Sequence, residues 1–238
     1  MSKTLNLPII EFKITLRADD LLSIGWGYPG LTGTDTQLFR FKPSIDAKPV
    51  IPGSTIKGSL RTAAIRVARI LGLNVCSEID PELISLYCRP DDILLKMFGR
   101  PGNNSPSRLI VEPFTVRGKV ITTVLKHVSI ERDSLKARKG ALYSSEYVVP
   151  CTLFEGKIML DLRGLDVDTA SRMLELLLLA LLELEDIGVG KGSKKVSVLK
   201  IELGKDTVKV LEDSNVLTPL SRKVLDILIS NRNKPCIR

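Results

Sequence analysis

The sequence is poor in the side chains that carry much of soluble-enzyme chemistry: one histidine and four cysteines in 238 residues, with aromatics at 5%. Cys76, Cys88, Cys151 and Cys236 form no CxxC pair, and His127 is the sole imidazole, so no zinc site is signalled. Cys76 and Cys88 fall within one local excursion where they can meet. In a chain expected to be cytoplasmic, buried or free thiols are the ordinary state, although intracellular disulfides occur in hyperthermophiles. The longest uninterrupted apolar run, residues 176–182, falls far short of the roughly 20 residues a membrane span needs, and the N-terminus has no apolar signal-peptide core. No nucleotide loop, catalytic triad or metal-ligand cluster supports a basic metabolic enzyme.

Positive charge is plentiful. Thirty-five Lys and Arg against 27 Asp and Glu give +8, and the surplus is uneven: residues 54–139 hold 15 basic and 8 acidic side chains, residues 149–190 hold 3 and 8. A polyanion is the partner such a distribution suits. With 44% hydrophobic residues the chain can bury a substantial core, and residues 1–238 read as a single domain.

Periodicity gives the elements. In residues 7–16, LPIIEFKITL, the alternation of Phe12, Ile14 and Leu16 predicts a half-buried strand. Residues 19–52 form a long loop rich in Gly, Pro and Thr, of a length that is usually functional or disordered. Residues 54–71 predict an amphipathic helix with Ile56, Leu60, Ala63, Ala64, Val67, Ile70 and Leu71 on one face and Lys57, Arg61, Arg66 and Arg69 off it. Ser54 or Thr55 is its expected N-cap and Gly72 its end. Residues 73–106 read as a helical insertion with pieces at 77–87 and 91–98, and 107–116 as a strand. Residues 119–147 suggest a projecting hairpin or arm, and 147–162 a strand. A strongly apolar helix at 168–186 follows, capped by Asp168 and closed by Gly188, then a strand at 195–203. The remainder, 204–238, is an expected appendage with a helix at 221–230. The order strand, helix, strand, strand, helix, strand predicts an α+β fold with a ferredoxin-like βαββαβ core, the plan also used by RNA-recognition modules.

Two stretches carry candidate chemistry. In PVIPGSTIKGSLR a helix start offers the Ser54, Thr55 and Ile56 amides, flanked by Lys57 and Arg61 at i and i+4, as a phosphate cradle. The plainer reading is a cap and a solvated face; the absence of acidic residues between Ser54 and Ser77 weighs against it. In DIGVGKGSKK, Gly188, Gly190 and Gly192 alternate, with Lys191, Lys194 and Lys195 close by, so a phosphate backbone can approach. Taken alone, that stretch is better read as a helix C-cap and turn, and its context between helix and strand is not that of a Walker loop.

IPGSTIKGSLR followed by GVGKGSKKVSV at this separation resembles the RAMP proteins of CRISPR effector complexes, over residues 7–203. The chain length and long first loop are most similar to the backbone subunit of type III complexes, of the Csm and Cmr kinds. The resemblance implies a role in antiviral defence as a subunit that self-associates into a filament along guide RNA, beside other CRISPR-associated subunits. Residues 117–147 would be a thumb inserted between guide and target segments. Asp35, in LTGTDTQLF, would be the catalytic residue of a target-RNA endonuclease, with Asp46 its competitor and a divalent metal, Mg or Mn, as cofactor. Ser54, Thr55, Lys57 and Arg61 would contact guide phosphates; Gly190, Lys191, Gly192 and Lys194 would line the glycine-rich loop; Lys126, Arg132, Lys136, Arg138 and Lys139 would arm the thumb. A catalytically inactive RAMP subunit and a guide-processing endoribonuclease are the alternatives. His127 stays outside the mechanism.

Overall fold

The alternating apolar residues of β1 (Ile9–Ala18) place Ile10, Phe12, Ile14 and Leu16 at 2% exposure or less, which makes this the inner strand of the main sheet. The computed structural model describes residues 7–25, 34–42, 47–78, 80–101, 106–190, 194–230 and 235–236. β1 pairs antiparallel with β7 (Leu153–Asp161) on one side and β8 (Val196–Glu202) on the other. Beyond β7 lie β4 (Phe114–Val116) and then β2 (Val50–Ile51), while β3 (Leu109–Val111) also pairs with β7. The single strand expected at 107–116 is thus divided around Pro113, which has no N–H for a ladder.

α1 (Gly53–Ile70) and α4 (Val167–Ile187) pack together and share one apolar cluster with the sheet. Two capping expectations are corrected. α1 is capped at Pro52 with no side-chain hydrogen bond, so neither Ser54 nor Thr55 caps it. Pro52 brings its φ of −57° to the turn, and a Cβ on Gly53 would stand 2.0 Å from the Val111 carbonyl oxygen. The helix start is therefore fixed by close approach to β3, which only glycine permits. The cap of α4 is Asp166, which accepts from the Thr169 N–H; Asp168 lies in the first turn and pairs with Arg172 at 3.1 Å. Gly188 closes α4 as expected, at φ 75°.

The insertion carries α2 (Pro81–Tyr87) and α3 (Ile93–Phe98), capped by Asp80 and Asp92. The C-terminal segment holds α5 (Lys205–Asp213) and α6 (Pro219–Ile229) rather than one helix. Leu211, Val216, Val224, Leu225 and Leu228 join the main core, so this segment is part of the packing. Both cysteine pairs are bonded, Cys76 to Cys88 and Cys151 to Cys236, where free or buried thiols were the ordinary expectation. Among the described residues no helix is long and apolar enough to cross a membrane.

β5 (Thr122–Ile130) and β6 (Ala137–Val148) make a separate two-stranded sheet. The main sheet turns its phenylalanines, Phe12, Phe114 and Phe154, to the buried side. Its other side carries the pairs Glu11–Lys157, Arg117–Glu155 and Lys200–Glu202, at 3.1, 2.9 and 2.6 Å. That face offers charge already balanced and, from these strands, no ring on which a base could stack, unlike an RNA-recognition module.

Candidate nucleic-acid groove

The segment after β1 folds onto β6. Leu22 and Val148 exchange both backbone hydrogen bonds at 3.1 and 2.8 Å. Thr36 donates its N–H to the Ser144 carbonyl at 3.0 Å and accepts the Glu146 N–H at 2.9 Å. A buried pair pins the junction: Arg40 Nη1 donates to Glu146 Oε2 at 2.9 Å, and the Leu38 N–H donates to the same oxygen at 3.1 Å. Burial pushes the Glu146 carboxyl up, but hydrogen bonds from Arg40 and Leu38 outweigh it and hold it below the usual range.

This folding leaves a groove of about 530 Å³. Asp35 and Thr36 come from the first loop, Thr55 from the opening turn of α1, Tyr143 and Tyr147 from β6, and Gly190 from the glycine-rich loop. Gly190 sits at φ +76°, and a Cβ there would lie 2.8 Å from the Ser23 carbonyl oxygen, so glycine alone lets this loop meet the first one. Lys194, bridged to Val189, places its ammonium 3.6 Å from Asp20.

Asp35 is exposed, and its Oδ2 accepts the Ser144 N–H at 2.7 Å and the Ser144 hydroxyl at 2.9 Å. Those two bonds, the backbone one first, hold its carboxyl below the ordinary aspartate range. At neutral pH the groove therefore contains a fixed negative charge. Tyr147 shares a 2.9 Å hydrogen bond between its hydroxyl and His127 Nε2, and His127 stacks on Tyr143 at 5.1 Å between ring centroids. These half-buried rings lie outside the main core cluster, on the hairpin face that alternation turns toward the groove.

The expected site residues divide. Asp35, Thr55 and Gly190 come together in the groove. Ser54 is exposed at the start of α1. Lys57 and Arg61 turn to the helical insertion: Lys57 Nζ donates to Ser107 Oγ at 2.6 Å, and Arg61 Nη2 to the Glu78 carbonyl at 3.4 Å. Burial lowers both cations' pKa values; Arg61 adds to the lowering at Lys57, while Asp92 opposes it at Arg61. Arg66, off the apolar face of α1, pairs with Glu183 at 3.1 Å. Lys126, Arg132, Lys136 and Arg138 are exposed along the hairpin, and Lys126, opposite Ser144, lies on the face away from Tyr143. Lys139 belongs to β6 by its backbone. Lys191, Gly192 and Asp46 lie outside the described residues. Of the residues that sequence reasoning missed, Tyr143, Ser144, Glu146 and Tyr147 were signalled only by the alternation in ALYSSEYV, and Arg40, in the first loop, by no local pattern.

A divalent ion at Asp35 would have to draw its remaining ligands from water and RNA phosphate. Among the described residues no three His, Cys, Asp or Glu side chains come together, and Asp35 is the one carboxylate lining the groove. No step is derived through such an ion.

No curated protein matches the chain. The family model described as the RAMP superfamily matches residues 24–195, a span running from the first loop through the glycine-rich loop to the edge of β8. With that span covering most of its length, the chain belongs to the RAMP superfamily.

Proposed function

We propose that this protein is a guide-RNA-binding backbone subunit of a type III CRISPR effector ribonucleoprotein, and that it cuts guide-paired target RNA at Asp35. Membership of the RAMP superfamily makes it a CRISPR-associated protein with an RNA-binding role. For the finer reading, the strand order β8, β1, β7, then β3 and β4 suits a ferredoxin-like βαββαβ core, and the β5–β6 hairpin suits a thumb. Self-association along the guide and a role in antiviral defence follow from the same reading.

The observation that carries it is the convergence in one groove of Asp35, the opening turn of α1, the glycine-rich loop and two tyrosines of the hairpin. Backbone approach at Gly190 and stacking on Tyr143 and Tyr147 suit a single-stranded RNA whose sequence is read by base pairing elsewhere. In the cleavage step the ribose 2′-hydroxyl gives its proton to the Asp35 carboxylate as its oxygen bonds to phosphorus. The bond from phosphorus to the 5′-oxygen breaks, leaving a 2′,3′-cyclic phosphate and, once protonated from solvent, a 5′-hydroxyl.

A second reading, of a subunit that holds RNA without cutting it, draws on the same carboxylate, since Asp35 also clamps the first loop to β6 through Ser144. Asp35→Asn in the assembled effector separates the two. It keeps an acceptor for Ser144 and removes the charge, so loss of target cleavage with intact assembly supports catalysis. Undiminished cleavage leaves the structural role.

A further inference from the structure

We infer that the chain has a second RNA-phosphate site, distinct from the groove, in a cavity between the helical insertion and the end of β7. The cavity, about 630 Å³, is lined by Lys96, Arg100, Arg108 and Arg163, with Ser107 and a single carboxylate, Asp161. It goes beyond the groove, which lies past the other end of β7, near Leu22 and Val148.

Its charge is not self-cancelled. Arg163 takes up Asp161 with two bonds, Nε to Oδ1 at 2.9 Å and Nη2 to Oδ2 at 2.8 Å. That accounts for the only acid among the described wall residues; with Asp166, just outside the wall, near Lys96, the cations Lys96, Arg100 and Arg108 still outnumber the acids. The two arginines are positioned by backbone carbonyls rather than by acids. Arg108 Nη1 donates to the Asp161 and Arg163 carbonyls at 3.1 and 3.0 Å, and Arg100 Nη2 to that of Ser85 at 3.2 Å. A guanidinium held by one nitrogen keeps its other donors for a ligand, in the fork that matches phosphate. Leu95 and Leu165 supply apolar wall beside the cations, which suits a nucleotide better than an acidic peptide.

α1 connects the two sites. Thr55 lines the groove, while Lys57 donates to Ser107, a residue of the cavity wall. The lysine that the sequence marks for phosphate thus braces a residue of the cavity wall rather than the groove, and the opening turn of α1 stands between two places where an RNA strand can be held.

The test measures binding of a labelled single-stranded RNA to the purified full chain across a salt series, for Lys96→Ala, Arg100→Ala and Tyr143→Ala. Lys96 is exposed, so its loss leaves the fold intact, as circular dichroism verifies. Each cavity variant is expected to weaken binding several-fold at low salt and to lower the slope of log K against log salt by about 0.7, in the Tyr143→Ala background as well. If Tyr143→Ala weakens binding while both cavity variants keep the parent affinity and slope, the second site is overturned and the groove stands. If none of the three changes binding, both fall. Cavity variants that lose binding to a polyglutamate peptide but not to RNA would also overturn the inference, assigning the cavity to an acidic protein segment.

Discussion

The carboxylate of Asp35 accepts both the N–H and the hydroxyl of Ser144, so the residue proposed to act on RNA also fastens the first loop to the hairpin. Chemistry and architecture meet at one side chain. Asp35→Ala should therefore impair both cleavage and attachment of the loop, whereas Asp35→Asn should impair cleavage alone. Cleavage assays on the assembled effector, with hydrogen exchange across residues 34–40, distinguish the two outcomes.

The pH dependence has a definite sign. Asp35 and Glu146 both have folded pKa values below their ordinary ones, so their contributions are full above the unfolded values and lost as pH falls through the folded ones. The junction between first loop and hairpin should hold throughout the neutral range and loosen only in acid, below the ordinary carboxylate range. Thermal melts followed from neutral pH into acid should show this loosening in the parent and less of it in Glu146→Gln.

Removing one member of the buried pair is expected to cost far more than removing a surface charge. Glu146 and Arg40 are 5% and 8% exposed, so Glu146→Ala leaves a guanidinium buried without its carboxylate, at a cost of about 3–5 kcal/mol. Denaturant unfolding measures it; a change of the size seen for an exposed pair such as Arg117–Glu155 would contradict the buried geometry.

Gly53→Ala should displace the start of α1, because its Cβ would lie 2.0 Å from the Val111 carbonyl oxygen. A destabilisation of about 1–3 kcal/mol is expected, with weaker RNA binding as Thr55 leaves the groove. Gly58→Ala is the control, since nothing lies within 4 Å of a Cβ there and alanine favours the helix.

The two disulfides close loops of different length, with separations of 12 and 85 residues. On loop entropy, losing Cys151–Cys236 should cost about 4–5 kcal/mol and losing Cys76–Cys88 about 3. Melting of Cys236→Ser beside Cys88→Ser checks the order.

Much of the α+β architecture was legible because periodicity is local. Phe12, Ile14 and Leu16 announce β1, and the apolar stripe of α1 places that helix to within a residue at each end. What stayed hidden depends on contacts distant in sequence. The direction of Lys57 is set by Ser107, 50 residues away, and the cap of α1 by the approach of Gly53 to Val111. Asp35 could be singled out by resemblance, but its partner Ser144 lies 109 residues on, beyond any local pattern. The tyrosines escaped notice because a hairpin rich in charge conceals which of its faces looks inward.

Photo-crosslinking of 4-thiouridine-substituted RNA to the full chain, with the adducts located by mass spectrometry, tests most directly whether the groove is where RNA lies. Adducts on Tyr143, Tyr147 and residues 188–190 are the predicted result. Adducts confined to the open side of the sheet, at Lys13, Lys157 and Lys200, would contradict the account.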